Sequence, residues 1–340
     1  MIRRRNRIAL VTLVVGMAWL FWYLKFAAHQ ATLQLDAVPD NFWGVTFSKK
    51  YAEELGLDWR QAYLAVIDDL QARNIRLPVY WDQVETSAGA FDFTDYDWML
   101  AEGAKRKVRF VLAVGRRLPR WPECHTPAWL SGAPETDVDR KQAEAVERMI
   151  EHFKPQESIR YWQIENEYFF PWFGLCPKAN RDLIREEISY LKKTDPRPIV
   201  LTDSGELNSW RDAAAQSDIL GITIYRIVWN NYFGYFRWPW PAALYRFKAR
   251  LAGKSQDHMM VAELQAEPWP SQFRSLQDLR PDEARALFPT RQLETNSEIA
   301  RRTGFTAAYY WGVEWWYWMK QKGIPEYWDS ARNIIQHANR

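Results

Sequence analysis

Short apolar runs alternate with amphipathic stretches along most of this chain. Asn41 to Ser48 (NFWGVTFS) reads as a strand, and Tyr51 to Arg73 follows with Leu55, Trp59, Tyr63, Val66, Ile67 and Leu70 at helical spacing. Ile75 to Trp81 (IRLPVYW) is again strand-like, and a helix is expected over Asp95 to Arg106. Val108 to Gly115 (VRFVLAVG) and Arg160 to Glu165 are the third and fourth strands, with a helix from Val138 to Phe153 between them. The pattern then repeats. Helix Asn180 to Lys193 precedes strand Pro198 to Thr202 (PIVLT), and a short helix near Ser209 to Ala215 precedes strand Ile219 to Tyr225 (ILGITIY). Helix Ala242 to Leu251 precedes strand His258 to Glu263 (HMMVAE). Helix Arg291 to Thr303 leads to strand Phe305 to Trp311 (FTAAYYW), and a helix near Glu326 to Ala338 closes the series.

These are eight strand–helix units whose strands are near-continuous apolar runs, as parallel strands covered on both faces are. The expected fold is α/β, a (β/α)8 TIM barrel, whose usual size is about 250 residues before insertions. A doubly wound open sheet is the structural alternative. It would normally carry a glycine fingerprint at its first turn, and none is present.

Ahead of the barrel, Ile8 to Leu24 (IALVTLVVGMAWLFWYL) is an uncharged apolar run preceded by Arg3, Arg4, Arg5 and Arg7. Trp19, Trp22, Tyr23 and Lys25 stand where interfacial anchors belong. The run is longer than the apolar region of a cleaved signal peptide, and Ala27-Ala28 is a poor cleavage site. The expected organisation is therefore a cytoplasmic basic tail and transmembrane signal anchor over 1–29, a linker over 30–40 and the barrel over 41–340. The arginines would stay in the cytoplasm and place the barrel outside it. Secretion after cleavage is the alternative.

Composition changes the picture in two ways. The formal charge of +3 comes from the N-terminus, where residues 1–25 carry five positive charges, so the remaining chain stands at −2. A near-neutral body gives no basic stripe for nucleic acid. The second change is the ring content, 20 Trp, 16 Tyr and 17 Phe, more than packing alone requires. Such rings suit carbohydrate faces, protein partners and membrane interfaces alike. There is no metal-spaced ligand cluster and no glycine-rich phosphate loop, so no metal or other cofactor is expected.

In an eightfold barrel, chemistry sits where strands end and lead into helices. The polar residues falling there are Asn166 and Glu167 after the fourth strand, Glu206 after the fifth, and Tyr225 and Arg226 after the sixth. Glu263 ends the seventh, and Trp311 and Glu314 follow at the eighth. Arg76 lies in the second strand and Arg116 after the third. The stretch from Arg160 to Pro171, RYWQIENEYFFP, sets an amide beside a carboxylic acid among rings, where a raised pKa and a sugar-stacking surface can coexist. A helix cap or an ion pair is the plainer reading of Glu167.

WQIENEY, Trp162 to Tyr168, resembles the fourth-strand signature of the large glycosidase clan that combines an eightfold barrel with two glutamates. Within that clan it is most similar to the microbial β-galactosidases of glycoside hydrolase families 42 and 35. Ile75 to Asp97 (IRLPVYWDQVETSAGAFDFTDYD) and Val111 to Leu130 (VLAVGRRLPRWPECHTPAWL) resemble the clan's second- and third-strand passages. VAELQAEPW, Val261 to Trp269, resembles the seventh-strand segment that supplies the second glutamate.

The resemblance implies a retaining β-glycosidase with Glu167 as general acid/base and Glu263 as nucleophile. Asn166 would hydrogen-bond the substrate 2-hydroxyl, and Tyr225 would donate to Glu263. Arg76 would place a favourable charge beside the nucleophile, and Trp311 would be a stacking platform for the sugar. Each has a plainer role available: Arg76 an interior ion-pair member, Tyr225 and Trp311 core aromatics. Glu206 and Glu314 read as surface or subsite residues. Glu165 and Glu267 flank the candidates, and strand alternation favours Glu167 and Glu263 over them. Two departures bear on substrate. Where cellulase-like members carry histidines, this chain has Arg116 and Thr223-Ile224-Tyr225, and the zinc-binding cysteine cluster of some family 42 enzymes is absent.

The partners expected are a carbohydrate substrate and, through the N-terminal helix, a membrane. A carbohydrate-binding pseudoenzyme and a transglycosylase are the competing functions. Cys124 and Cys176 fall in adjacent loops and are expected to be bridged in an extracytoplasmic domain, against the alternative of two free buried thiols. The ring-dense segments Asn230 to Trp240 (NNYFGYFRWPW) and Trp315 to Trp318 (WWYW) are expected as rim loops, meeting either sugar or membrane.

Overall fold

The computed structural model describes residues 12–23, 25, 42–271 and 274–337. The eight strands are β1 (Trp43–Thr46), β2 (Asn74–Pro78), β3 (Arg109–Val114), β4 (Ile159–Ile164), β5 (Ile199–Asp203), β6 (Ile219–Ile224), β7 (Met259–Gln265) and β8 (Ala308–Trp311). Each pairs in parallel with its neighbours in chain order, and β8 returns to pair with β1. The sheet is therefore a closed barrel with no exposed edge.

Side chains alternate across each strand with a period of two. Val111, Val200, Met260 and Tyr309 form a small apolar cluster apart from the main core, with Tyr161 packed against it. Two residues further along β4, β5 and β8 come Gln163, Thr202 and Trp311. The same face of each strand thus runs from an apolar plug to polar and aromatic groups at its C-terminal end. The main core lies between the strands and the surrounding helices, where Leu112, Ile164, Leu201, Ile222 and Leu264 meet the helices' apolar stripes.

The expected elements differ from the observed ones in instructive places. Tyr51 to Arg73 is two helices, Lys49–Glu54 and Trp59–Asp68. Gly56 takes φ +70 between them, and the Asp58 side chain restarts the helix by accepting from the amides of Arg60 and Gln61. Asn230 to Trp240 contains half of an antiparallel hairpin, Ile227–Asn230 with Gly234–Arg237, whose tip carries exposed Tyr232 and Phe233.

The second ring-dense segment is not a rim loop. Trp315 to Trp318 lies within helix Val313–Gln321, and Trp315 and Trp316 are fully buried. Helical spacing turns these two rings into the core. They are unavailable to sugar or membrane.

The expected anchor over Ile8 to Leu24 and the linker over 30–40 lie partly or wholly outside the described residues. Residues 12–23 are helical and carry exposed apolar side chains. Among the described residues no helix is long and apolar enough to cross a membrane.

Candidate active site

Of the six residues expected to act on substrate, Glu167, Glu263, Asn166, Tyr225 and Trp311 stand towards the C-terminal ends of the barrel strands or just beyond them, and Arg76 in mid-strand. Four of the six are linked by direct hydrogen bonds. Arg76, on β2 and fully buried, is the hub. Its Nη1 donates to Glu263 Oε1 at 2.7 Å, its Nη2 to Asn166 Oδ1 at 2.7 Å and its Nε to Gln163 Oε1 at 2.7 Å. The other oxygen of Glu263, Oε2, accepts from the Tyr225 hydroxyl at 2.9 Å. Both oxygens of Glu263 are therefore held, one by a cation and one by a phenol. Such double anchoring fixes a carboxylate's orientation.

Past the end of β4 the backbone leaves the strand by an unusual path. Glu165 and Glu167 both have left-handed backbones, φ 56 and φ 43, a region that non-glycine residues seldom enter. The two turns send the side chains of Glu165, Asn166 and Glu167 in different directions. The Asn166 amide donates to Arg117 O at 2.6 Å, and the Glu167 amide donates to Thr202 Oγ1 at 2.8 Å. Thr202 in turn donates to Asn166 Oδ1 at 2.9 Å. The neighbouring loop and β5 thus hold the backbone strain in place.

Glu167 is 7% exposed, and Thr223 Oγ1 on β6 donates to its Oε1 at 3.3 Å. Burial, then the nearby carboxyls of Glu263, Glu123 and Asp203, push the Glu167 carboxyl well above the usual range. A carboxyl raised in this way favours its protonated form and can act as an acid.

The flanking glutamates are turned elsewhere. Glu165 accepts from the amides of Arg116 at 2.7 Å and Arg117 at 2.6 Å, and from Gln142 Nε2 at 3.0 Å. Glu267 and Glu314 both pair with Arg120, the latter at 2.9 Å, and Glu314 also accepts from the Ser48 amide. Glu206 accepts from the Tyr245 hydroxyl at 2.6 Å. Glu206 and Glu314 are 8% and 1% exposed, so neither is a surface residue. Of the arginines, Arg116 reaches away to Thr126 and Glu135, while Arg226 donates to Trp240 O.

Trp311 is buried at the end of β8, and one guanidinium lies over its ring, that of Arg120 at 3.9 Å from the centroid. Arg120 sits between Trp311 and the Tyr51 ring, which is 3.6 Å away on the other side. A cation thus occupies ring surface that had been expected to receive a sugar.

Sequence reasoning missed Arg120, and with it a further buried acid of this region. Glu123, in the loop after β3, is 4% exposed, and its Oε2 accepts from Asn166 Nδ2 at 3.2 Å. Burial, then the charge of Glu263, pushes its carboxyl up to about 8. The nearest sequence signal was its position beside Cys124. That cysteine is bridged to Cys176, with Cα atoms 5.4 Å apart, as the loop adjacency had suggested.

No family model and no curated protein matches this sequence. Solved structures do. Gan42B, a GH42 β-galactosidase from G. stearothermophilus, superposes with a TM-score of 0.60 at 12% identity, covering 88% of this chain and 57% of its own. The fold is shared with glycoside hydrolases of families 42 and 5. The exo-β-1,4-mannosidase Op5Man5 from Opitutaceae bacterium strain TAV5 gives a TM-score of 0.58 at 14% identity, over 87% of this chain and 60% of that one. A variant of GH5_18 from Bifidobacterium longum subsp. longum, in complex with Manβ1-4GlcNAc, gives 0.59 at 13% identity over 87% and 78%. This chain spans little more than half the length of the β-galactosidases it matches.

Proposed function

We propose that this chain is a retaining β-glycosidase that hydrolyses O-glycosidic bonds of an oligo- or polysaccharide outside the cytoplasm. The observation that carries the reading is the asymmetry between two buried glutamates that lie near one another at the C-terminal end of the barrel. Glu167 lies among carboxyls that favour its protonated form, whereas Glu263 is held by Arg76 and Tyr225.

In the first step a Glu263 oxygen attacks the anomeric carbon while the glycosidic C–O bond breaks. Glu167 gives its proton to the departing oxygen, leaving a glycosyl ester on Glu263. Glu167, now ionised, then takes a proton from water, whose oxygen displaces Glu263 and releases the sugar. Asn166, fixed by Arg76 and Thr202, stands beside the acid to bind a substrate hydroxyl.

Localisation rests on separate support. The arginine-flanked apolar run over Ile8 to Leu24 suits an uncleaved anchor with the barrel outside, and the Cys124–Cys176 bridge suits an oxidising compartment.

The test is a panel of aryl β-glycosides with the full chain, Glu167→Gln and Glu263→Gln. Loss of turnover in both variants, with a glycosyl ester on Glu263 trapped in the wild type by mass spectrometry, supports the reading. Full rates in both variants would remove it.

A further inference from the structure

Beyond the two glutamates, a chain of rings leads outward from the site. Tyr225, whose hydroxyl is on Glu263, meets Trp269 with centroids 5.3 Å apart and planes at 88°. Trp269 meets Phe173 at 5.6 Å and 52°, and Phe173 meets Trp121 at 6.1 Å and 70°. The outermost ring, Trp121, is 48% exposed. Four rings from three loops and the end of β6 thus form one continuous line from the candidate nucleophile to solvent.

Exposure, not contact angle, sets these rings apart from the core: Phe173 and Trp269 are half-buried and Trp121 keeps about half of its surface in solvent. The loops bearing Trp121 and Phe173 are also tied together more firmly than packing requires. Cys124 is bridged to Cys176, the Leu175 amide donates to Pro122 O at 2.9 Å, and Arg117 Nη2 donates to Phe173 O at 2.8 Å. An exposed indole on a pinned loop is a surface prepared in advance, with little ordering left for binding to cost.

We infer that Trp269, Phe173 and Trp121 form a second sugar-binding position, which takes the unit of a β-linked oligosaccharide adjoining the one at Glu263, and that the Cys124–Cys176 bridge sets its shape. Sugar rings present C–H faces that stack on aromatic rings, and the line's continuity with Glu263 puts the adjoining unit within reach of it. The position rests on the glycosidase reading for its neighbour, not for its own binding. Its consequence is a substrate of at least two linked units, with a single sugar held poorly.

The test is a fluorescence titration of the full chain carrying Glu167→Gln, with mannose and galactose against their β-1,4-linked disaccharides and trisaccharides. Affinity should rise about tenfold or more from one unit to two. That gain should vanish in Trp121→Ala and Phe173→Ala, be restored in Trp121→Phe, and shrink when the Cys124→Ser/Cys176→Ser pair removes the bridge. Binding of a single sugar should stay within about threefold in every variant. A gain that survives both alanine variants overturns the inference, as does equal binding of one and two units. A Trp121-dependent response to phosphatidylcholine vesicles in place of sugars overturns it too. Chain-length-dependent binding by a wild type that hydrolyses nothing would instead defeat the glycosidase reading and leave this position standing.

Discussion

The guanidinium of Arg120 lies over the ring of Trp311, 3.9 Å from its centroid, while the same group holds Glu267 and Glu314. Arg120 is therefore in direct contact with two buried carboxylates of neighbouring strand ends. Its own backbone is left-handed, φ 85, so the loop is bent to deliver it.

Removing that cation should cost stability more than activity at the glutamate pair. Arg120→Met keeps much of the stem but leaves Glu267 and Glu314 buried without their cation. Breaking such a buried arrangement from one side costs about 3–5 kcal/mol. Urea denaturation of Arg120→Met should show a loss of that size. A loss below about 1 kcal/mol would mean the two carboxyls are neutral in the folded protein.

A second expectation concerns pH and stability. Glu123 is raised to about 8, and Glu206 and Glu314 each to about 7, all mainly by burial. The folded state then binds more protons than the unfolded chain between the ordinary glutamate range near 4.5 and about 8. Stability contributed by these groups is fully present below the unfolded value and is lost as pH rises through the folded values. Thermal unfolding followed by calorimetry should show a melting temperature that declines steadily from about pH 5 to 8. A flat profile would contradict the shifts.

Glu123→Gln separates Glu123 from the other buried acids. The amide oxygen of glutamine can still accept from Asn166, so the contact survives while the charge does not. The decline in melting temperature above pH 7 should become shallower. Ionised Glu123 also helps keep Glu167 protonated, so its loss should move the alkaline limb of a pH–rate profile to lower pH. An unmoved limb would show that Glu123 does not sense the acid.

Tyr225→Phe removes the hydroxyl that donates to Glu263 Oε2. Hydrogen bonds to charged groups contribute about 1.5–3 kcal/mol, so kcat/KM on an accepted aryl glycoside should fall about tenfold to a hundredfold. The melting temperature should move by only a few degrees. Comparable loss of stability and activity would assign the tyrosine to packing.

Much of this was legible in the residues because strand period and polar placement coincide. Eight apolar runs gave the barrel, and Arg76, Asn166, Glu167, Tyr225 and Glu263 could be named since each lies in or just past a strand of known direction. The disulfide followed from the adjacency of the third and fourth loops. Glu123 and Arg120 were not legible, because both sit in an irregular loop where no period assigns a side chain to a face. Trp315 and Trp316 misled for the opposite reason: a ring-dense string reads as a surface platform until helical spacing is allowed to bury it. Gln163 and Thr202 carried a weaker signal, polar residues in otherwise apolar strands, which marks the inward face.

The carboxylate of Glu165 gathers the amides of Arg116 and Arg117 onto the end of β4, and the Cys124–Cys176 bridge ties the far parts of the same two loops. The acid-bearing segment and the ring-bearing loops are thereby fastened into one block that moves, if at all, as a unit. The Ile227–Arg237 hairpin carries no such covalent tie, so whatever freedom exists at this end of the barrel is left to elements outside that block.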